Sequence, residues 1–374
     1  MFQLLSLFYY FYFSIVGIYI IFLPKVLSSV GYGASEIGII FAAAPLVRFV
    51  LPFLFMRGLT LSTTIFKASL LLVVLSVLSF FFSLHHFYAL LCSNIAMGIG
   101  MSLILPFVET IALRSIGKER YGKSRLFGSV GFIVVALVLV KLLSSAYIAL
   151  DFLLALTFLT ALVAFRVEKL SSKEQIGVIK KSENENISII KDWQLWLGLV
   201  LVQMSFGSFY NFFTIYETDH GISLNMTVYL WSFGVFIEII MFFFQAKLLY
   251  GNLLNIIRFT MLATTLRWFL VFAFATNLPV LFFAQSLHAL SFALFHSAAI
   301  SYLFHLYKNK SLAQQLFSGM GYGLGGLSGA MLSGYIYEYY PSYLFLSSSF
   351  IAFGAYIFIG LWSKKVKKGE MIMD

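Results

Sequence analysis

Residues 225–246 read NMTVYLWSFGVFIEIIMFFFQA. An α-helix needs about 20 predominantly apolar residues to cross a bilayer, and this stretch supplies them. It also carries one carboxylate, Glu238. The next apolar stretch, 254–275, holds Arg267, and the one after it, 279–304, holds His288. A charge at the centre of a membrane helix costs about 2.5–3.5 kcal/mol on insertion scales, so such residues face a protein interior or a water-filled path. Three in successive stretches mark an ion or substrate pathway.

The composition agrees. The chain has 374 residues, of which 61% are hydrophobic and 11% charged. About a quarter of an ordinary soluble chain is charged, and no single soluble core absorbs this much apolar side chain. The expected fold is therefore an all-α polytopic membrane protein. Twelve spans are expected at 4–23, 37–56, 65–83, 87–112, 126–145, 147–165, 193–215, 225–246, 254–275, 279–304, 312–336 and 343–362. The N-terminal run lacks a basic leader, and Pro24 and Lys25 stand where a signal peptide needs small residues, so it reads as the first span. The single cysteine, Cys92, excludes a disulfide framework and a cysteine-based metal site, and reads as a small packing residue.

The net charge of +10 is an orientation signal. With the N-terminus cytoplasmic, the inner side holds Arg57, Arg114, Lys118, Arg120, Lys123, Arg125, Arg166, Lys169, Lys173, Lys180, Lys181, Lys191, Lys247, Lys308, Lys310, Lys364, Lys365, Lys367 and Lys368. The outer side holds little beyond Lys25 and Lys141. This is the positive-inside pattern, and it puts both termini in the cytoplasm. The cations sit at membrane edges, so nucleic acid is not the expected partner. The polar stretch 166–192 divides the chain into a bundle at 1–165 and a bundle at 193–363, followed by a basic tail at 364–374. Gly31 precedes Arg48 by 17 residues, as Gly221 precedes Glu238. The spacing suggests two repeated halves related by an axis along the membrane normal, with Arg48 and Glu238 in equivalent places.

At about 1.5 Å per residue, Arg267 lies about 12 Å, His288 about 14 Å and Glu238 about 20 Å below the outer surface. Glu238 is then within reach of the arginine. A carboxylate beside a guanidinium stays ionised, and withdrawing the guanidinium favours protonation. A proton-coupled transporter needs that behaviour; a static ion pair locking three helices is the plainer alternative. Gln285, His288 and Ser291 share one face of span 10. His296 is expected to be a hydrogen-bonded packing residue more than a proton carrier, and it joins Gln203, Asn211 and Gln285 as a secondary candidate.

In the first half, Pro106-Phe-Val-Glu109 ends span 4 and Arg125 begins span 5. A short loop joins them, so the two charges can meet. Phe132, seven residues after Arg125, shares its face. The set reads equally as a binding site with an aromatic platform or as a helix-end salt bridge beside a core phenylalanine. Arg48 has no partner on its own helix and suits a substrate carboxylate or Glu109. Asp151 lies near the outer end of span 6 and can reach water. Gly321, Gly323 and Gly326 match a nucleotide-loop pattern, but no strand precedes them, so they read as close helix packing.

These residues resemble the major facilitator superfamily, and within it the 3-phenylpropionic acid transporter branch, related to lactose permease. The motifs are Leu230-Trp-Ser-Phe-Gly-Val-Phe-Ile-Glu238, Arg267-Trp268, Leu287-His288 and Tyr121-Gly-Lys-Ser-Arg125-Leu-Phe-Gly128-Ser129-Val-Gly-Phe132, with Arg48 also fitting the branch. The resemblance implies two pseudo-symmetric six-helix bundles working by alternating access. It implies that Arg48, Glu109, Arg125 and Phe132 contact substrate, while Glu238, Arg267 and His288 handle the proton and gating. There are departures. A carboxylate in the lactose permease pattern is Ser291 here, its stacking tryptophan is Phe132, and its lysine is Gln285. Gln203 and Phe206 occupy the region of its aspartates. Around Arg57-Gly58-Leu59 the acidic loop pattern of the superfamily is missing. The expectation is a monomeric transporter of the bacterial inner membrane, with a small aromatic or carboxylic acid and a proton as partners and the lipid bilayer as its setting. No cofactor and no metal are expected. A sugar or nucleoside symporter is the alternative. An enzyme is not expected, since no activated nucleophile or metal spacing occurs, and a sensor would need an output domain.

Overall fold

A computed structural model describes residues 1–57, 61–171 and 187–373. Gly58 and Leu59, and the central linker with Lys173, Lys180 and Lys181, lie outside the described residues. The described chain is helical throughout, in twelve long segments. They are α1 (Phe2–Val30), α2 (Ala34–Met56), α3 (Thr63–Ser83), α4 (Phe87–Gly117), α5 (Arg120–Leu142) and α6 (Ala146–Ser171). The second six are α7 (Trp193–Asp219), α8 (Leu224–Leu248), α9 (Leu253–Ala273), α10 (Leu278–Leu306), α11 (310–339) and α12 (Leu344–Met373). By length and composition, eleven helices among the described residues could cross a membrane; α11, rich in glycine and glutamine, lies beyond that count.

Local chemistry sets the breaks. Ser62, Ser223, Asn252, Asn277 and Asn309 accept a hydrogen bond from the first turn of the following helix. Gly31 and Gly221 end α1 and α7 with φ of 108° and 87°, a region open to glycine. Their surroundings match: Tyr32 N donates to Leu27 O at 3.1 Å, and Ile222 N donates to Glu217 O at 3.0 Å. Gly117 (φ 72°) breaks the long run from α4 into α5.

Close backbone approach joins α2 to α11 and α7 to α11. A Cβ on Gly38 would lie 2.6 Å from Ala330 O, and one on Gly323 would lie 2.6 Å from the backbone of Phe49. Gly207 and Gly329 leave no room for a methyl group between them. The glycines of α11 thus serve close packing.

The core is asymmetric from one rim to the other. Toward the rim away from the chain termini, one buried cluster runs through both sets of six helices, from Phe22, Leu27 and Phe132 to Phe209, Trp231 and Phe345. Toward the rim that carries the termini it divides. One cluster (Leu5, Phe8, Phe66, Val108) belongs to the first six helices, and another (Trp196, Ile257, Leu303, Trp362) to the last six. A cleft between them therefore opens at the terminal rim. The far rim is tied by Lys25 Nζ to Asp219 (3.3 Å) and by Ser35 N donating to Glu338 (2.7 Å).

Candidate functional site

Arg267 is fully buried on α9. Its guanidinium lies 4.2 Å from the ring centre of Phe209, 4.4 Å from Trp268 and 5.8 Å from Phe206. The helix of α7 is interrupted at Phe206, between Ser205 and Gly207, which turns Phe206 and Phe209 onto the guanidinium. Trp268 is fixed in turn by donating to Ser205 Oγ at 3.1 Å. Around the guanidinium, Nη2 donates to Gln285 Oε1 (2.8 Å), and Nη1 faces His288 Nδ1 (2.8 Å) and donates to Ser291 Oγ (3.2 Å). Gln285, His288 and Ser291 thus present one face to Arg267, as their spacing predicts.

An arginine has no acceptor, so Nδ1 of His288 accepts and the ring is held in the form with its proton on Nε2. That Nε2 points at Glu238 Oε2, 3.2 Å away on α8. Among the described residues, Glu238 and Arg267 are therefore joined through the imidazole. The direct carboxylate–guanidinium pair expected from depth is corrected here: the ring occupies the space between them. The His288 ring also stacks on Phe292 at 5.3 Å and 8°. A π-helical turn, Ala289–Leu294, follows immediately and re-phases α10 below the histidine.

Across the cleft, Glu109 on α4 accepts from Arg125 on α5 and from the Tyr121 hydroxyl (3.0 Å). The aromatic faces beside Arg125 come from α1: Phe13 at 5.3 Å and Tyr9 at 6.0 Å. Phe132 is elsewhere. It is 8% exposed, lies against Gly17, and its ring is 6.4 Å from that of Trp231 on α8, where the two sets of helices meet. Seven residues is nearly two turns, about 10 Å of rise, too far for Phe132 to serve the Arg125 guanidinium.

Arg48 was expected to be buried, with Glu109 as one option for partner. It is exposed, and among the described residues it forms no ion pair. Glu109 is already held by Arg125 and Tyr121. Arg48 lies near Tyr12 and Tyr19 of α1, Tyr210 of α7 and Tyr322 of α11. His296 Nδ1 bonds the Tyr322 hydroxyl at 2.7 Å. Asn211 Nδ2 donates to Gly207 O of its own helix at 2.8 Å. Asp151 is exposed. So is Cys92, which lies on the helix surface and not in the packed interior.

Sequence reading missed Tyr9, Phe13, Tyr121 and Tyr322. Tyr121 was within reach, four residues before Arg125 and hence on its face. The others are hidden among 21 tyrosines and 43 phenylalanines. The arrangement as a whole can hold an anion beside ring faces on one wall. On the other it can pass the state of an arginine to a carboxylate through a histidine.

The MFS_1 like family model matches residues 2–347. The chain is 26% identical over 370 residues to the probable 3-phenylpropionic acid transporter of Escherichia coli (strain K12), covering 94% of this chain and 95% of that protein. Among solved structures, a mutant of the nucleoside transporter NupG superposes with a TM-score of 0.79 at 14% identity, covering 96% of this chain and 99% of the other. The POT family transporter PepTSo superposes at 0.77 with 10% identity, covering 98% and 97%. At these identities the structures speak for the fold alone.

Proposed function

The chain belongs to the MFS_1 like family, and on that premise we propose that it takes up a small aromatic or carboxylic acid together with a proton. It is an integral membrane transporter, and its relatives are transporters, not enzymes. The asymmetry of lysine and arginine supports placing the terminal rim in the cytoplasm of a bacterial inner membrane. The cleft then opens inward. The bundles 1–165 and 193–363 rock about it as alternating-access units, with 166–192 linking them and 364–374 as the tail. A monomer suffices for this cycle.

Arg48 and Arg125 offer two guanidiniums to a substrate carboxylate, and Phe13 and Tyr9 offer ring faces to its aromatic part. Phe132 and Trp231 close the cleft from above. Glu109 holds Arg125 until the substrate replaces it. In the other wall, Glu238 takes and releases the proton, and His288 links it to Arg267. The observation that carries the reading is the continuous line Arg267–His288–Glu238 in one wall, with the solvated Glu109–Arg125 pair in the other. The name of the Escherichia coli relative favours the aromatic-acid substrate. A sugar or nucleoside would instead use Glu109 as an acceptor for hydroxyl groups.

In proteoliposomes, an inward proton gradient should drive accumulation of 3-phenylpropionate. Glu238→Gln should abolish accumulation and leave exchange of internal for external substrate in place. Undiminished accumulation by this variant overturns the coupling role. A thermal-shift screen of aromatic acids, sugars and nucleosides separates the substrate classes, since a bound ligand stabilises by mass action.

A further inference from the structure

Glu217 lies on α7, two residues before the helix ends at the rim away from the termini. It is 0% exposed, and neither carboxyl oxygen has a hydrogen-bond partner among the described residues. The 190-residue offset that relates Gly31 to Gly221, and Arg48 to Glu238, pairs Glu217 with Leu27. Leu27 is also 0% exposed and packs in the shared core. Both residues supply the carbonyl that closes the helix end before the glycine. One carboxylate thus stands where the other half uses an ordinary core side chain, so packing does not require it.

Among the described residues no cation pairs with it. Lys25 on α1 is engaged by Asp219, and Tyr337 on α11 donates to the same Asp219 at 2.7 Å. Glu338 on α11 accepts from Ser35, and Glu36 on α2 accepts from Gly33. His220 Nδ1 faces Tyr216 O and its ring stacks on Tyr216, 4.1 Å between centres. The rim also carries Tyr32 in the α1–α2 loop, Tyr229 on α8, Tyr335 and Tyr339 at the end of α11, and Tyr340 and Tyr343 before α12. At the ends of α3 to α6 it carries His85, His86, Tyr88, Lys141, Tyr147 and Asp151. An ionised carboxylate without a partner is far too costly in a dry interior, so the group carries a proton while the rim is closed.

We propose that Glu217 is a second proton-binding site, built into the gate at the rim away from the termini, which holds a proton when that gate is shut and releases it to the adjoining solvent when the gate opens. The site is distinct from Glu238 and does not depend on the cleft chemistry. Opening separates α1 and α2 from α7 and α11, breaks the Lys25–Asp219 and Ser35–Glu338 ties, and admits water to Glu217. In water a glutamate ionises above about pH 4.3, so raising the pH stabilises the open gate.

The test places spin labels at Ser29→Cys and Tyr340→Cys on the two sides of this rim, in a Cys92→Ser background, in the full chain in lipid nanodiscs. The open-to-closed ratio should rise with pH, by up to about tenfold per unit above the pKa of the open state. Glu217→Gln should flatten that response, and Glu217→Leu, which restores the residue of the other half, should do the same. Glu238→Gln should keep it, which separates failure of this site from failure of the cleft reading. Infrared difference spectra of the unlabelled protein should show a protonated carboxylic acid lost in Glu217→Gln. A pH-independent wild-type distribution, a persistent response in both Glu217 variants, or an unchanged infrared band would overturn the assignment.

Discussion

The two walls of the cleft hold their charges in opposite ways. In the wall formed by α8, α9 and α10, the His288 and Glu238 side chains are 6% and 11% exposed, and Arg267 is fully buried. In the wall formed by α4 and α5, Arg125 and Glu109 are 41% and 27% exposed. A buried guanidinium depends on the protein itself for partners, and Gln285, His288 and Ser291 serve Nη1 and Nη2, while Nε lies among ring faces without a partner among the described residues. A solvated one can exchange partners at little cost, because water compensates while one carboxylate leaves and another arrives. The difference supports the two proposed roles: the dry wall to transmit a change of state, and the wet wall to meet a ligand.

The contrast breaks first at Arg267. Arg267→Ala leaves Gln285, His288 and Ser291 without their donor and opens a void among Phe206, Phe209 and Trp268. It should cost about 3–5 kcal/mol of stability. Arg125→Ala removes a pair in contact with solvent and should cost under about 1 kcal/mol. Reversible unfolding of the purified variants measures both, and equal losses would erase the distinction between the walls.

Arg125→Lys sharpens the wet wall. An ammonium cannot reproduce a two-pronged contact to a carboxylate, so substrate affinity should fall about 10–100-fold while stability holds. Calorimetric titration with 3-phenylpropionate reads this. An unchanged Kd would move the ligand away from Arg125.

Much of this was legible beforehand, for physical reasons that can be named. Charges inside apolar runs stand out, so Glu238, Arg267 and His288 declared themselves, and helical spacing grouped Gln285 and Ser291 with His288. Depth along separate helices was legible too, but rotation about each helix axis was not. That is why Glu238 was matched to Arg267 when the imidazole stands between them. Aromatic partners were illegible because most phenylalanines in such a chain serve packing, as Phe132 does in the shared core. Glu217 was lost because the expected span stopped at 215, short of the further turn of polar sequence that the helix includes up to Asp219. The pairing of Gly31 with Gly221 held the signal that could have found it.

Arg48 gives the smallest and most discriminating effect. It is exposed, makes no ion pair among the described residues, and lies near tyrosines of three other helices. A charge of this kind attracts an anion without a fixed geometry. Arg48→Gln should therefore lower affinity for a carboxylate substrate by less than about tenfold and reduce the dependence of Kd on salt, because screening acts on exposed charges. Arg48→Lys should restore both, unlike the lysine at Arg125, which has a directional partner to replace. If Arg48→Lys were as damaging as Arg125→Lys, Arg48 would also grip the substrate through a fork, and the wet wall would hold two directional contacts in place of one contact and one field.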